Sequence, residues 1–176
     1  MEKAGHIPIV LITGTLGSGK TVLATDIGEL LADREPATAI IDLDWLGWVS
    51  PSPHGTHAID HLILSNLAAI WPNLQAAGAG RLVCARTVLN RELVDGLHDA
   101  IGPASVTIVR VTASAGTIAA RLSARDSGAV LAEHLAEATE FERLLDEMRA
   151  EDFRVSNDGR PIRDVSIEVI AGVGWG

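Results

Sequence analysis

The chain has 176 residues, 47% of them apolar and 21% charged, which reads as one globular domain spanning 1–176 with length enough for a substantial core. Its net charge is −9, and Lys3 and Lys20 are the only lysines, so its surface offers little to a phosphate backbone and no nucleic-acid partner is expected. Cys84 is the only cysteine, which excludes an intrachain disulfide, and no apolar run approaches the ~18 residues needed to span a bilayer, so a cytoplasmic protein with no membrane partner is expected.

In chain order, Ile7 to Thr13 is apolar without alternation, as in a parallel strand covered on both faces, and it runs straight into a glycine-rich turn. A helix is predicted from Lys20 to Ala32, ended by Asp33-Arg34-Glu35-Pro36. Thr38 to Asp42 is a short second strand, and Trp45 to Thr56 a loop rich in proline. His57 to Ala77 has helical apolar spacing, with Pro72 expected to kink or split it and Gly78-Ala79-Gly80 to close it. Arg81 to Thr87 is a third strand, Asn90 caps a helix running to about Ala100, and Ser105 to Val111 is a fourth strand. Two helical stretches follow, Ser114 to Arg125 and Ala129 to Ala150, interrupted by Asp126-Ser127-Gly128. Phe153 to Ser156 is a fifth strand, residues 157–161 a turn, and Ile162 to Ala171 a final helix. Strands alternating with helices give an α/β parallel sheet, whose ligands collect at the carboxyl ends of the strands.

Three groups of residues carry chemistry. Gly14-Thr15-Leu16-Gly17-Ser18-Gly19-Lys20-Thr21 has the GxxxxGK[ST] spacing of a Walker A loop, between a strand and the helical pattern Val22 to Ile27. Its backbone N–H groups can cradle phosphate oxygens, Lys20 reach the β- and γ-phosphates, and the Thr21 hydroxyl ligate magnesium. Asp42 and Asp44, at i and i+2, would project from one face if the strand continued; one can hold the metal and the other accept a proton from an attacking hydroxyl, and the sequence leaves open which does which. Arg121 and Arg125 share a helix face before the break at residues 126–128 and can bring positive charge over a transferring phosphoryl group.

A second-substrate pocket is expected from residues 45–76, with Trp45, Trp48, His54, His57 and His61 as candidate walls or hydrogen-bonders. His57 and His61 have helical spacing but no evident third metal ligand, and a core or surface role is expected. Cys84 reads as a buried small hydrophobe. Arg86, at the end of the third strand, is placed either against an anionic substrate or in a structural ion pair.

Taken together these residues resemble the small-molecule P-loop kinases, which include adenylylsulfate kinase, gluconate kinase, shikimate kinase and chloramphenicol phosphotransferase. GTLGSGKT is similar to their G-x-x-G-S-G-K-[ST], IDLDWL to the D-x-D after their second strand, and residues 117–125 to their R-L-x-x-R lid segment. Val155 to Pro161 looks like their C-terminal adenine-side loop. The resemblance implies a three-layer P-loop NTPase sandwich with a five-stranded parallel sheet in the order 2-3-1-4-5, helices on both faces and a helical lid over about 114–130. It implies ATP and Mg2+ as cofactors and transfer of the γ-phosphoryl group to a hydroxyl of a small molecule. By carry-over Gly14, Leu16, Gly17, Ser18, Gly19, Lys20, Thr21 and Val22 would bind the nucleotide. Arg121 would lie against it and Arg125 near the phosphates, while Asn157, Gly159, Arg160 and Pro161 would border the adenine. From the reading of the residues themselves, Thr21 and Asp42 are expected to serve the metal, and Asp44, Trp45 and Arg86 the acceptor.

The departures bear on substrate. Asp42 to Gly47 lacks the arginine that follows the paired acids of adenylylsulfate kinases, and Val83 to Thr87 lacks the glycine cluster of shikimate kinases. No aspartate ends the third strand, where a Walker B acid usually stands. Three functions remain: a metabolite or antibiotic kinase, a nucleotide-binding switch with slow or no hydrolysis, and a nucleoside or nucleotide kinase. Paired acids favour the kinases; the missing Walker B acid leaves room for the switch. Acceptor, oligomeric state and adenine-over-guanine preference are left open.

Overall fold

The computed structural model describes residues 5–50 and 56–176. Five strands, β1 (Ile7–Thr13), β2 (Ala37–Asp42), β3 (Ala79–Ala85), β4 (Ala104–Thr112) and β5 (Phe153–Ser156), form a wholly parallel sheet in the order β2-β3-β1-β4-β5. Around it lie α1 (Lys20–Leu30), α2 (Thr56–Ala76), α3 (Arg91–Ile101), α4 (Ala115–Arg125), α5 (Gly128–Met148) and α6 (Ile162–Gly172). The expected strand order is the observed one.

Period-two alternation explains why the central strands carry no polar face. Ile9 and Leu11 join Leu82 and Cys84 on one side, where Ile63, Leu67 and Trp71 of α2 and Leu93 and Leu97 of α3 cover them. Val10 and Ile12 face the other way, with Val83, Val109 and Val111, under Leu23 and Ile27 of α1 and Val165 and Val169 of α6. A third, smaller cluster of Ile118, Leu122 and Ala138 joins α4 to α5 and takes in Leu16 of the glycine-rich loop. This third cluster packs α4 and α5 against the glycine-rich loop.

Several boundaries differ from the sequence expectation. Helix α2 runs through Pro72 unbroken: the proline lies on the exposed side, while Leu67 and Trp71 anchor the buried side. Strand β3 begins two residues before Arg81 and stops at Ala85, so Arg86 and Thr87 leave the sheet. Thr87 Oγ1 then donates to the Gly14 carbonyl at 2.9 Å, and Thr13 Oγ1 accepts from Val88 N at 3.0 Å, fastening the exit of β3 to the loop after β1. The expected loop from Trp45 has a 3₁₀ turn, Leu43–Gly47, at its start; residues 51–55, with His54, lie outside the described residues. Among the described residues no helix is long and apolar enough to cross a membrane.

Candidate nucleotide site

The loop Gly14–Thr21 joins β1 to α1 at the carboxyl edge of the sheet. Gly14 has φ +151°, and a Cβ there would lie 2.5 Å from the Val111 carbonyl oxygen. Gly19 has φ +101°, and a Cβ there would collide with the Asn157 amide nitrogen. Both positions therefore need glycine on two counts, backbone angle and space. Inside the loop Ser18 Oγ donates to the Thr15 carbonyl at 2.8 Å and Lys20 Nζ to the same oxygen at 3.1 Å. Helix α1 begins at Lys20 after Gly19, which offers no side-chain cap, so its first amides are left for an anion at the positive end of the helix dipole.

Three external braces hold this loop. Arg121 Nη1 donates to the Gly17 and Ser18 carbonyls, each at 3.1 Å, and its Nη2 to the Asn157 carbonyl at 3.0 Å. Buried Asn157 donates from Nδ2 to the Ser18 carbonyl at 2.9 Å. Thr15 Oγ1 donates to the Ala138 carbonyl of α5 at 2.6 Å. With the outer carbonyls satisfied, the loop's amides can turn inward.

The two acids part company because β2 ends at Asp42 and the 3₁₀ turn starts at once. Asp42 caps that turn, its Oδ1 accepting from Asp44 N at 3.0 Å, while its Oδ2 accepts from Thr21 Oγ1 at 2.5 Å. Asp44 turns instead to Arg86, whose Nη1 it binds. The rest of the Arg86 guanidinium is spent on Asp60, with Nε and Nη2 at 3.1 and 2.7 Å from Oδ1. Asn90 completes the group: its Nδ2 donates to Asp60 Oδ2 at 2.9 Å and its Oδ1 caps α3 at Leu93 N. Asp60 did not figure among the sequence candidates. It left a signal: it shares the apolar face of α2 with Ile63 and Leu67, and an acid on a buried face needs a partner.

A cleft of about 720 Å³ opens over the loop, lined by Leu16, Gly17, Gly19, Lys20, Thr21 and Val22, by Asp44 and Trp48, and by Arg121, Leu122, Arg125, Asp126 and His134. Burial pulls the Lys20 ammonium below its ordinary pKa, and the carboxylates of Asp44 and Asp42 push it back up. Arg125 lies at the rim, tied by Nε and Nη2 to the two oxygens of Asp126, each at 2.9 Å. Asp126 also meets His134 Nδ1 at 2.7 Å. Asp126 and His134 were not singled out in the sequence, since only the return of α5 beside α4 brings them together. Trp45 stacks on Trp48 but does not line the cleft. Gly159, Arg160 and Pro161 are outside that lining too; Arg160 binds the Ser156 carbonyl and Glu168 on an exposed turn. His57 is exposed and pairs with Glu92.

No protein-family model and no curated protein matches the sequence. Solved structures do match over nearly the whole chain. A gluconokinase from Sinorhizobium meliloti 1021 is 21% identical, covering 96% of this chain and 93% of its own, with a TM-score of 0.64. The tunicamycin resistance protein of Deinococcus radiodurans is 24% identical over 95% of each chain, with a TM-score of 0.63. The APS kinase of Mycobacterium tuberculosis, solved with AMPPNP and APS, is 18% identical over 97% of this chain and 99% of its own, with a TM-score of 0.60. The fold is that of the small-molecule P-loop kinases. In this P-loop kinase fold the loop, the Asp42 end of β2, the Arg86 exit of β3 and the start of α4 share one edge of the sheet, as parallel topology requires.

Proposed function

We propose that the protein is an ATP-dependent phosphotransferase that moves the γ-phosphoryl group to a hydroxyl of a small molecule. The observation that carries this reading is the pair of acids beside the loop: Asp42 accepts from the P-loop Thr21 hydroxyl, and Asp44 lines the cleft that contains Lys20. A phosphate binder without an acceptor has no use for the second acid. The reading takes residues 1–176 as one domain with a lid over about 114–130, acting in the cytoplasm with no nucleic-acid or membrane partner.

Thr21 Oγ1 and Asp42 Oδ2, 2.5 Å apart beside the loop, are the hard oxygen donors that Mg2+ prefers, so the residues present suit that ion. When bound, Mg2+ would neutralise charge on the β- and γ-phosphate oxygens. The loop amides and the α1 N-terminus hold the phosphates, and Lys20 places its ammonium against the terminal ones. Arg121, already bonded to the loop carbonyls, keeps the cradle in shape and adds positive charge beside it. Asp44 accepts the proton of the attacking hydroxyl, with Arg86 fixing the carboxylate's direction. Arg125 comes to the phosphates only if it leaves Asp126.

The switch reading rests on one feature: β3 ends at Ala85 and Arg86 follows, with no acid at the Walker B place. The deciding experiment is ADP release from ATP and Mg2+ with and without a pool of hydroxyl metabolites. Acceptor-dependent release is expected; tight ATP binding with no acceptor-dependent release from any pool would leave the switch instead.

A further inference from the structure

Trp45 and Trp48 are 69% and 70% exposed, yet their rings stack with centroids 5.0 Å apart and planes 18° from parallel. Two indoles exposed side by side, with half-exposed Val49 next to them, form an apolar platform that the described residues do not cover. The platform is held rigidly. Leu43 and Gly47 of the 3₁₀ turn are buried, and a Cβ at Gly47 would lie 2.8 Å from Ile63 Cγ1, so the turn sits directly on α2. Asn66 Nδ2 donates to the Leu46 carbonyl at 2.7 Å and pins the turn between the two tryptophans. The platform is also aimed: Trp48 lines the cleft that contains Lys20 and Asp44, with only three residues between it and the proposed base.

Charge supplies the second, independent argument. Arg86, which β3 delivers to this side of the cleft, is matched twice over, by Asp60 and by Asp44. One guanidinium between two carboxylates leaves a net negative charge, which repels an acid and tolerates a neutral molecule. From these two observations we infer that the acceptor is an uncharged hydroxyl compound with an aromatic ring, seated with that ring on Trp48 and the Trp45 stack behind it. This rests on the phosphotransferase reading and names its substrate class. A sugar acid or other anionic metabolite is disfavoured beside Asp44 by the same local charge, since the cationic Lys20, Arg121 and Arg125 of the cleft are assigned to the phosphates. Ring-on-ring contact gives the holding force, offset or edge-on to the indole, and leaves the hydroxyl free to meet Asp44.

The test uses the whole protein and four probes that separate ring from charge: 2-phenylethanol, 3-phenyllactate, glycerol and gluconate. The four tryptophans supply an internal control, because Trp71 and Trp175 are buried at 2% and 8% exposure. In ¹⁵N-labelled protein, 2-phenylethanol should shift the Trp48 and Trp45 indole N–H signals saturably and leave those of Trp71 and Trp175 in place. It should also raise ADP release above that with the other three probes. Trp48→Ala should raise its KM by about tenfold or more, and Trp48→Phe, which keeps a ring, should restore most of the loss. Three results each overturn the inference: 3-phenyllactate or gluconate binding as well as 2-phenylethanol, no selective shift of the two exposed indoles, or their shifts following dilution of the protein alone, which would mean that a second copy covers the platform. Failure of the phosphotransferase reading looks different, since selective indole shifts would then occur without ADP release from any probe.

Discussion

Single side chains at this site have partners that state their tasks. Lys20 reaches back to the Thr15 carbonyl inside a loop of glycines, hydroxyls and Leu16, so its replacement removes the one ammonium the loop contains. Lys20→Ala should lower ATP turnover by about 10²–10³; unchanged nucleotide affinity and turnover would refute the phosphate-loop assignment. Asp44→Asn keeps the shape and discards the basic oxygen, and single-turnover transfer should fall by about 10²–10⁴. A near-normal rate would move the base to Asp42 or remove it. The motif made Lys20 and Thr21 legible from residue types at fixed spacing. The division between Asp42 and Asp44 was not legible, because it depends on the chain leaving strand geometry at Leu43 and on Arg86 arriving from a strand 42 residues further on.

At the scale of elements, the pair α4 and α5 is joined to the loop at one end and clamped to itself at the other. Arg121 and Thr15 fasten α4 and α5 to the loop, while Asp126 holds Arg125 and His134 where α4 gives way to α5. Arg125 and His134 hold the Asp126 carboxyl down to about 2 from its ordinary 3.8. The folded value lies below the unfolded one, so the clamp stabilises the fold above about pH 4 and loses that contribution as pH falls towards about 2. Acid unfolding of Asp126→Asn against the parent should therefore show a gap near neutrality that closes over that interval. The same substitution releases Arg125 from its bidentate hold and should change the apparent affinity for ATP. No change in either measurement would show that the clamp is idle. The arginine pair was visible as an i, i+4 repeat; its partner carboxylate looked like an ordinary helix-breaking residue.

Across the whole molecule, buried polar groups tie the layers together. Arg110 on β4 is fully buried and binds Glu142, Asp146 and Glu151, joining the sheet to α5 and to the residues before β5. Glu142 and Asp146 remain partly in contact with solvent, so Arg110→Ala should cost about 3 kcal/mol in urea unfolding, at the lower end for a broken buried pair. Cys84 lies at the centre of the sheet, and burial pushes its thiol well above the ordinary range. It should resist alkylation in the native protein and react fully in urea; rapid native labelling would show that the sheet opens between β1 and β3.

Local chemistry determined the phosphate loop, the alternation of apolar strands and amphipathic helices, and through them the parallel sheet. Each of these depends on neighbours a few positions apart, where backbone angle and side-chain period act directly. Only the tertiary structure decided that Asp60 props Arg86, that α5 closes against Thr15, and that Trp45 stacks on the Trp48 that lines the cleft. The first two pairings join residues from separate elements, and the third depends on the 3₁₀ turn that sets Trp45 and Trp48 side by side and on its seat against α2.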